Sequence, residues 1–160
     1  MFSMTLICMG KLKEKFYISA AEEYKKRLGA FCSFQLLELP EYKLPEDPNQ
    51  TQIAQGLSRE AELIRAKIPK GSFFCVLAPE GKMLSSEELA GKLSDIKKSG
   101  RSSVCFLIGS SFGVDAGLKK QADLLLSMSR MTFPHHLARV MALEQLYRAE
   151  SIQAGTKYHK

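Results

Sequence analysis

The sequence predicts an α/β fold with a mostly parallel sheet covered by helices. Three observations carry that expectation. Short apolar runs alternate with longer segments of helical period five times along the chain. Gly and Pro stand where one pattern gives way to the next. A chain of 160 residues with 45% apolar content is large enough for one domain with a continuous core, and no internal repeat or low-complexity linker divides it.

Residues 2–9 (FSMTLICM) read as the first strand, and residues 14–28 as a helix closed by Gly29 at its C-cap. Residues 34–39 form the next strand, stopped by Pro40, and residues 41–49, with Pro45 and Pro48, form a loop. Ile53, Leu57, Ala61 and Ile64 recur at helical spacing and predict a helix over 52–67, ended by Pro69 and Gly71. Residues 72–78 (SFFCVLA) are a third strand, followed by a turn around Gly81. Ser85 and Glu88 form an S-x-x-E capping box that starts a helix through Lys98, with Gly100 just beyond it. Residues 103–108 (SVCFLI) are a fourth strand, and 109–113 a Gly/Ser-rich loop into a short helix over 115–122. A fifth strand over 124–127, a loop over 129–136 and a last helix over 137–149 complete the pattern.

The 23 Lys and Arg outnumber the 17 Asp and Glu, for a net charge of +6, which favours polyanionic partners. Residues 119–160 hold 7 of these cations and 3 of the acids, so a phosphate-facing surface is expected in that quarter. Cys8, Cys32, Cys75 and Cys105 are widely separated, three of them within apolar runs, and read as reduced core residues. No C-x-x-C pair exists, and His135, His136 and His159 lack zinc-site spacing, so no metal is expected. The first apolar run lacks the features of a secretion signal and no stretch approaches 18 apolar residues; a cytoplasmic location away from membranes is expected.

Ligands of α/β proteins bind beyond the carboxyl ends of strands. The loop after the first strand, Met9-Gly10-Lys11-Leu12-Lys13, has one glycine where a dinucleotide fingerprint needs three. Glu38 stands where a ribose-binding carboxylate could, without a glycine-rich loop to accompany it. Gly81-Lys82 is followed by Met83 and has no glycine five positions earlier, which excludes a Walker A loop. The better candidates are the loops after strands three, four and five: residues 77–82, 109–113 and 127–136. Gly109 and Gly113 allow close backbone approach. The run from Ser129 to His136 mixes a cation, hydroxyls, apolar groups and imidazoles, a variety suited to a polar ligand.

In the last helix, Leu137, Val140, Met141 and Leu143 can bury one side, whereas Arg139, Glu144 and Arg148 cannot all occupy a dry interior. Glu144 and Arg148 fit an i,i+4 ion pair. Arg139 has no close carboxylate on its own helix and is the candidate to meet an external anion or a polar base. Tyr158 and His159 suggest that the segment 157–160 docks rather than frays.

Several stretches then resemble the RlmH family of SPOUT-class RNA methyltransferases. They are Gly10-Lys11-Leu12-Lys13, Glu23-Tyr24, Arg27-Leu28, Gly81-Lys82 with Ser85-Ser86-Glu87, Leu107-Ile108-Gly109, Thr132-Phe133-Pro134-His135, Arg139-Val140, Glu144-Gln145-x-Tyr147-Arg148-Ala149 and Tyr158-His159-Lys160. The resemblance runs through all 160 residues. It implies a SPOUT fold with a C-terminal trefoil knot and a homodimer with shared active sites. It further implies S-adenosyl-L-methionine as methyl donor and, as acceptor, N3 of a pseudouridine of 23S rRNA in the large subunit or assembled ribosome. The positions matching the family's donor site are Leu77, Gly109, Met128, Ser129, Arg130, Met131, Thr132 and Phe133. Arg139, Tyr158 and His159, the last two from the partner subunit, are the catalytic candidates, with His159 the one whose ordinary pKa suits a proton acceptor. One departure stands out: the family's Gly-Gly-x-x-Gly reads Gly109-Ser110-Ser111-Phe112-Gly113, and Ser110 would be strained if that position needs positive φ. The competing readings are a SPOUT enzyme with another RNA acceptor, a non-catalytic ribosome-binding protein and a flavodoxin-like small-molecule binder.

Overall fold

The computed structural model of the chain describes residues 1–160. Five strands, β1 (Ser3–Met9), β2 (Ser33–Leu39), β3 (Phe73–Met83), β4 (Ser103–Ile108) and β5 (Leu124–Ser127), form one sheet in the order β2-β1-β4-β3-β5. Every pairing is parallel. Helices α1 (Lys15–Leu28), α2 (Gln50–Arg65), α3 (Ser86–Lys98) and α4 (Ala116–Gln121) make the crossovers, and α5 (His135–Gln153) follows β5.

Strand periodicity sorts the core into two layers. Met4, Leu6 and Cys8 of β1 face a cluster with Leu28 of α1, Leu93 of α3 and Leu143 of α5, whereas Ile7 and Met9 face Ala61 and Ile64 of α2 and Leu118 of α4. Both faces of the sheet are therefore covered, as parallel strands require. All four cysteines are buried and free, as their apolar surroundings predict. Burial pushes the thiols of Cys8, Cys75 and Cys105 up to about 12 and that of Cys32 to about 11, so they stay protonated.

The α3 capping box forms as read: Ser85 Oγ accepts from Glu88 N, and Glu88 Oε1 accepts from Ser85 N, both at 3.0 Å. A second box, Asn49 with Gln52, starts α2 two residues earlier than its apolar period suggests. Gly29 caps α1 with φ −59°, so the chain leaves in a right-handed turn rather than a left-handed cap.

Two expectations need correction. The turn around Gly81 lies inside β3, which runs to Met83 and pairs with β5 twice: Leu77 and Lys82 both meet Leu126. The intervening residues bulge past β5, and Gly81 is the point of closest passage. A Cβ there would stand 2.6 Å from Leu125 C and 2.8 Å from Leu126 N. His135 and His136, expected in a loop, begin α5, because Pro134 at the N-cap is preset for helix entry and Ala138 N reaches its carbonyl.

Candidate active site

The carboxyl ends of β3, β4 and β5 open on a cavity of about 550 Å³, a size suited to a small molecule. Leu77, Ala78 and Pro79 form one wall, Gly109, Ser110 and Gly113 a second, and residues from Ser127 to Phe133 a third. The three loops singled out in the sequence are thus brought together. Leu77, Gly109, Met128, Ser129, Met131, Thr132 and Phe133 all line the cavity; Arg130 does not, and its side chain is exposed.

Local chemistry fixes these loops before any ligand arrives. Gly113 has φ +96° and donates its N–H to Ser110 O at 2.9 Å, folding the loop back over Gly109. A Cβ on Gly109 would lie 2.4 Å from Gly113 O, so that glycine is needed for the loop to close on itself. Ser110 is unstrained, since glycines alone have positive φ. In the third loop Ser127 Oγ donates to Ser129 O at 2.9 Å, and Ser129 Oγ accepts from Met131 N at 3.0 Å.

The cavity is electrically quiet. Lys119 at its edge is paired with Glu80 at 2.6 Å, and that hydrogen bond holds the Glu80 carboxyl below its usual range. His135 also lines the cavity. Burial, and then the neighbouring His136, lower its pKa from 6.5, so its ring is neutral at pH 7; Glu41 Oε1 lies 3.3 Å from Nε2. A cation entering here meets no uncompensated positive charge. The walls contributed by Ile108, Leu126, Met128, Met131 and Phe133 are apolar.

Arg139 is placed differently from its sequence reading. Its side chain is 1% exposed, the largest fully buried one in the protein, although a guanidinium seemed unsuited to a dry interior. Nη1 donates to Glu38 Oε2 at 2.6 Å, and Nη2 to the carbonyls of Met9 and Gly10 at 3.2 and 2.8 Å. The carboxylate missing from its own helix is thus supplied by β2. Glu38 Oε2 also accepts from Leu12 N at 3.1 Å, so this carboxylate orders the loop after β1. Arg139 does not line the cavity, although Ala138 beside it does.

Tyr158 and His159 lie against α5 and α3, outside the cavity of their own chain. The Tyr158 ring packs on Tyr147 with centroids 4.6 Å apart and sits under Arg148, and its hydroxyl donates to Glu144 Oε1 at 3.4 Å. Burial pushes this phenol up to about 12, with the Glu144 charge acting in the same direction. Arg148 Nη1 lies 3.1 Å from His159 Nδ1, and Glu87 Oε1 lies 2.6 Å from Nε2. A guanidinium can only donate, so the proton is assigned to Nε2. Glu144 and Arg148 pair at 2.7 Å, as their spacing predicts.

Sequence reasoning missed Glu60, the pairing of Glu38 with Arg139 and the Lys119–Glu80 pair. Glu60 occupies the α2 face shared by Ala61 and Ile64, 5% exposed, where an acidic residue in a polar helix gave no signal. The basic surface is also wider than the last quarter of the chain. Lys11 and Lys13, exposed in the loop tied to Arg139, stand at the carboxyl edge of the sheet without ion-pair partners, whereas Lys119, Arg139 and Arg148 are all paired. No group of three or more His, Cys, Asp or Glu has metal-binding proximity, and no helix is long and apolar enough to cross a membrane.

A family model described as "Predicted SPOUT methyltransferase" matches residues 2–159. The chain is 44% identical over 160 residues to "Ribosomal RNA large subunit methyltransferase H" of Moorella thermoacetica, covering 100% of both chains. It is 46% identical over 157 residues to the protein of the same name from Bifidobacterium adolescentis, covering 98% of this chain and 99% of the relative. Among solved structures, a probable methylase family protein from Haemophilus influenzae Rd KW20 matches 99% of this chain and 70% of its own, with a TM-score of 0.53 at 16% identity. A putative methylase family protein from Neisseria gonorrhoeae matches 90% and 81%, with a TM-score of 0.55 at 11% identity. At such identities these two likenesses concern the fold alone.

Proposed function

The chain belongs to the SPOUT methyltransferase family, and from that premise we propose that it methylates N3 of a pseudouridine in 23S rRNA of the large subunit or assembled ribosome, using S-adenosyl-L-methionine. In this reading residues 1–160 act as one domain, in the cytoplasm and as a homodimer. Full-length identity to the large-subunit methyltransferases supports the acceptor class. The observation that carries the donor assignment is the neutral cavity bounded by Leu77, Gly109 and the run from Ser127 to Phe133. Its size, its apolar walls and its compensated Lys119 suit a ligand with a flat heterocycle and a cationic sulfur.

When bound, S-adenosylmethionine supplies an electrophilic methyl group. The chain's own work is to hold, to orient and to manage one proton. Internal hydrogen bonds shape the loops at Gly109–Gly113 and Ser127–Met131 that wall the cavity. Met128 and Phe133 place apolar surface beside the reacting atoms, whereas Met131 stands at the exposed rim. Arg139, its charge met by Glu38 and its guanidinium tied to two carbonyls, holds the loop after β1 in place and so positions the acceptor base. Tyr158 keeps its proton and orients the base as a donor. His159 accepts the N3 proton once Nδ1 is freed from Arg148.

The position of Tyr158 and His159 outside their own cavity favours delivery by the partner subunit. Exposed Lys11 and Lys13 favour phosphate contacts at the same edge of the sheet. The reading is tested by mass analysis of 23S rRNA from a strain lacking the gene, followed by methylation of that strain's ribosomes with purified protein. Loss of one methyl group from a pseudouridine and its restoration in vitro are expected. Unchanged rRNA, or a restored methyl group on another nucleotide, sinks the acceptor assignment.

A further inference from the structure

Glu60 is a buried carboxylate with no cation in contact: its residue is 5% exposed, and no Lys, Arg or His pairs with it. Such a group is costly unless its oxygens are fully used. Both are used, and on two separate segments. Oε1 accepts from Ser110 Oγ at 2.9 Å, in the loop that walls the donor cavity. Oε2 accepts from Tyr42 N at 3.0 Å, in the segment that follows β2.

The second segment also reaches the cavity. Glu41, next to Tyr42, lies 3.3 Å from the His135 ring, which lines it. Gly56 of α2 makes the close approach possible, because a Cβ there would stand 3.0 Å from Leu44 Cδ2 and 3.1 Å from Tyr42 Cδ1. One carboxylate on α2 therefore ties together two segments, the Ser110 loop that lines the cavity and the Tyr42 segment, whose Glu41 contacts the cavity-lining His135. The hydroxyl it grips belongs to the residue that departs from the family's glycine.

We propose that Glu60 is a positioning residue for the donor pocket, acting through Ser110 and Tyr42 to fix the spacing of the Gly109–Gly113 loop from the Glu41–His135 side. The inference rests on the reading of this cavity as an S-adenosylmethionine site. Glu60 touches neither the donor nor the acceptor in this scheme, so its loss acts on donor affinity and spares the chemical step. Gln keeps both ties, with its carbonyl accepting from Tyr42 N and its amide donating to Ser110 Oγ; Leu keeps neither.

The experiment is titration of the full-length protein with S-adenosylmethionine by calorimetry, alongside the methylation rate at saturating donor and the melting temperature without ligand. For Glu60→Leu the dissociation constant should rise about tenfold, and for Ser110→Ala roughly threefold, the loss of one or two hydrogen bonds to a charged group. Glu60→Gln should stay within about twofold of the parent, and kcat should change by less than about twofold in both Glu60 variants. Donor affinity unchanged in Ser110→Ala overturns the proposal even where Glu60→Leu fails to fold, as does a lowered melting temperature with unaltered affinity. Failure of the parent protein to bind S-adenosylmethionine overturns the site reading itself and this inference with it.

Discussion

Arg139 Nη1 and Glu38 Oε2 meet at 2.6 Å although 101 residues separate them in sequence. The contact ties the first turn of the last helix to the end of the second strand, and through Leu12 N and the Met9 and Gly10 carbonyls it also sets the loop after β1. A guanidinium with three protein acceptors is held in one orientation, and with its charge met by Glu38 it acts by fixing the loop after β1.

Arg139→Ala is expected to abolish methylation while largely sparing S-adenosylmethionine affinity, because the side chain does not line the cavity. It should also cost about 2–3 kcal/mol of stability, as hydrogen bonds to a charged group are lost. Rate, calorimetric affinity and chemical denaturation check the three parts. Near-normal turnover refutes the role given to this residue.

Deletion of residues 158–160 is expected to impair RNA methylation with donor affinity unchanged. Delivery between subunits adds a sharper expectation: inactive Arg139→Ala chains and inactive deleted chains, mixed under conditions that exchange subunits, should regain activity, since each mixed dimer contains one complete site. Failure to regain activity in verified mixed dimers restricts these residues to their own chain.

Gly81→Ala should destabilise the protein by about 1–3 kcal/mol or more, because the added methyl meets the backbone of Leu125 and Leu126, which cannot rotate aside. Gly109→Ala meets the Gly113 carbonyl in the same way and should lose donor binding. Melting temperature and donor titration measure the two effects. Wild-type behaviour of either variant contradicts the loop geometry.

Glu60 predicts a pH dependence of stability. Burial raises its carboxyl above the ordinary value, against the lowering effect of the Tyr42 and Ser110 hydrogen bonds and with the Glu41 charge adding to the rise. The folded protein thus holds this proton more tightly than the unfolded chain. The associated stability is fully present below the ordinary carboxylate pKa and is lost as pH rises through the raised one. Glu60→Gln should flatten the melting-temperature profile across that acidic window and melt no lower than the parent at pH 7. A parallel profile in the two proteins argues against an unfavourable charge at this site.

Much of the fold was legible because local signals agree with it. The apolar runs marked β1, β4 and β5 to within a residue, and the Ser85–Glu88 box marked the start of α3. That Leu77, Gly109 and the loop after β5 would line one cavity was legible because strand ends and glycines are local features. What escaped depends on residues far apart. The turn anticipated at Gly81 is instead a bulged strand, because β5 pairs with β3 on both sides of it. Arg139 seemed free because its carboxylate stands on another element. Glu60 went unnoticed because nothing in a polar helix announces which acidic residue the loops will cover.

The double pairing of Leu126 with Leu77 and Lys82 also bears on how the molecule is made. The fifth strand bonds to no neighbour except the third, so its place in the sheet depends wholly on residues 73–83. Its seating also brings the last cavity wall into place. On the proposed reading, a methyl donor bound against that wall favours the seated strand by mass action, more strongly as its concentration rises.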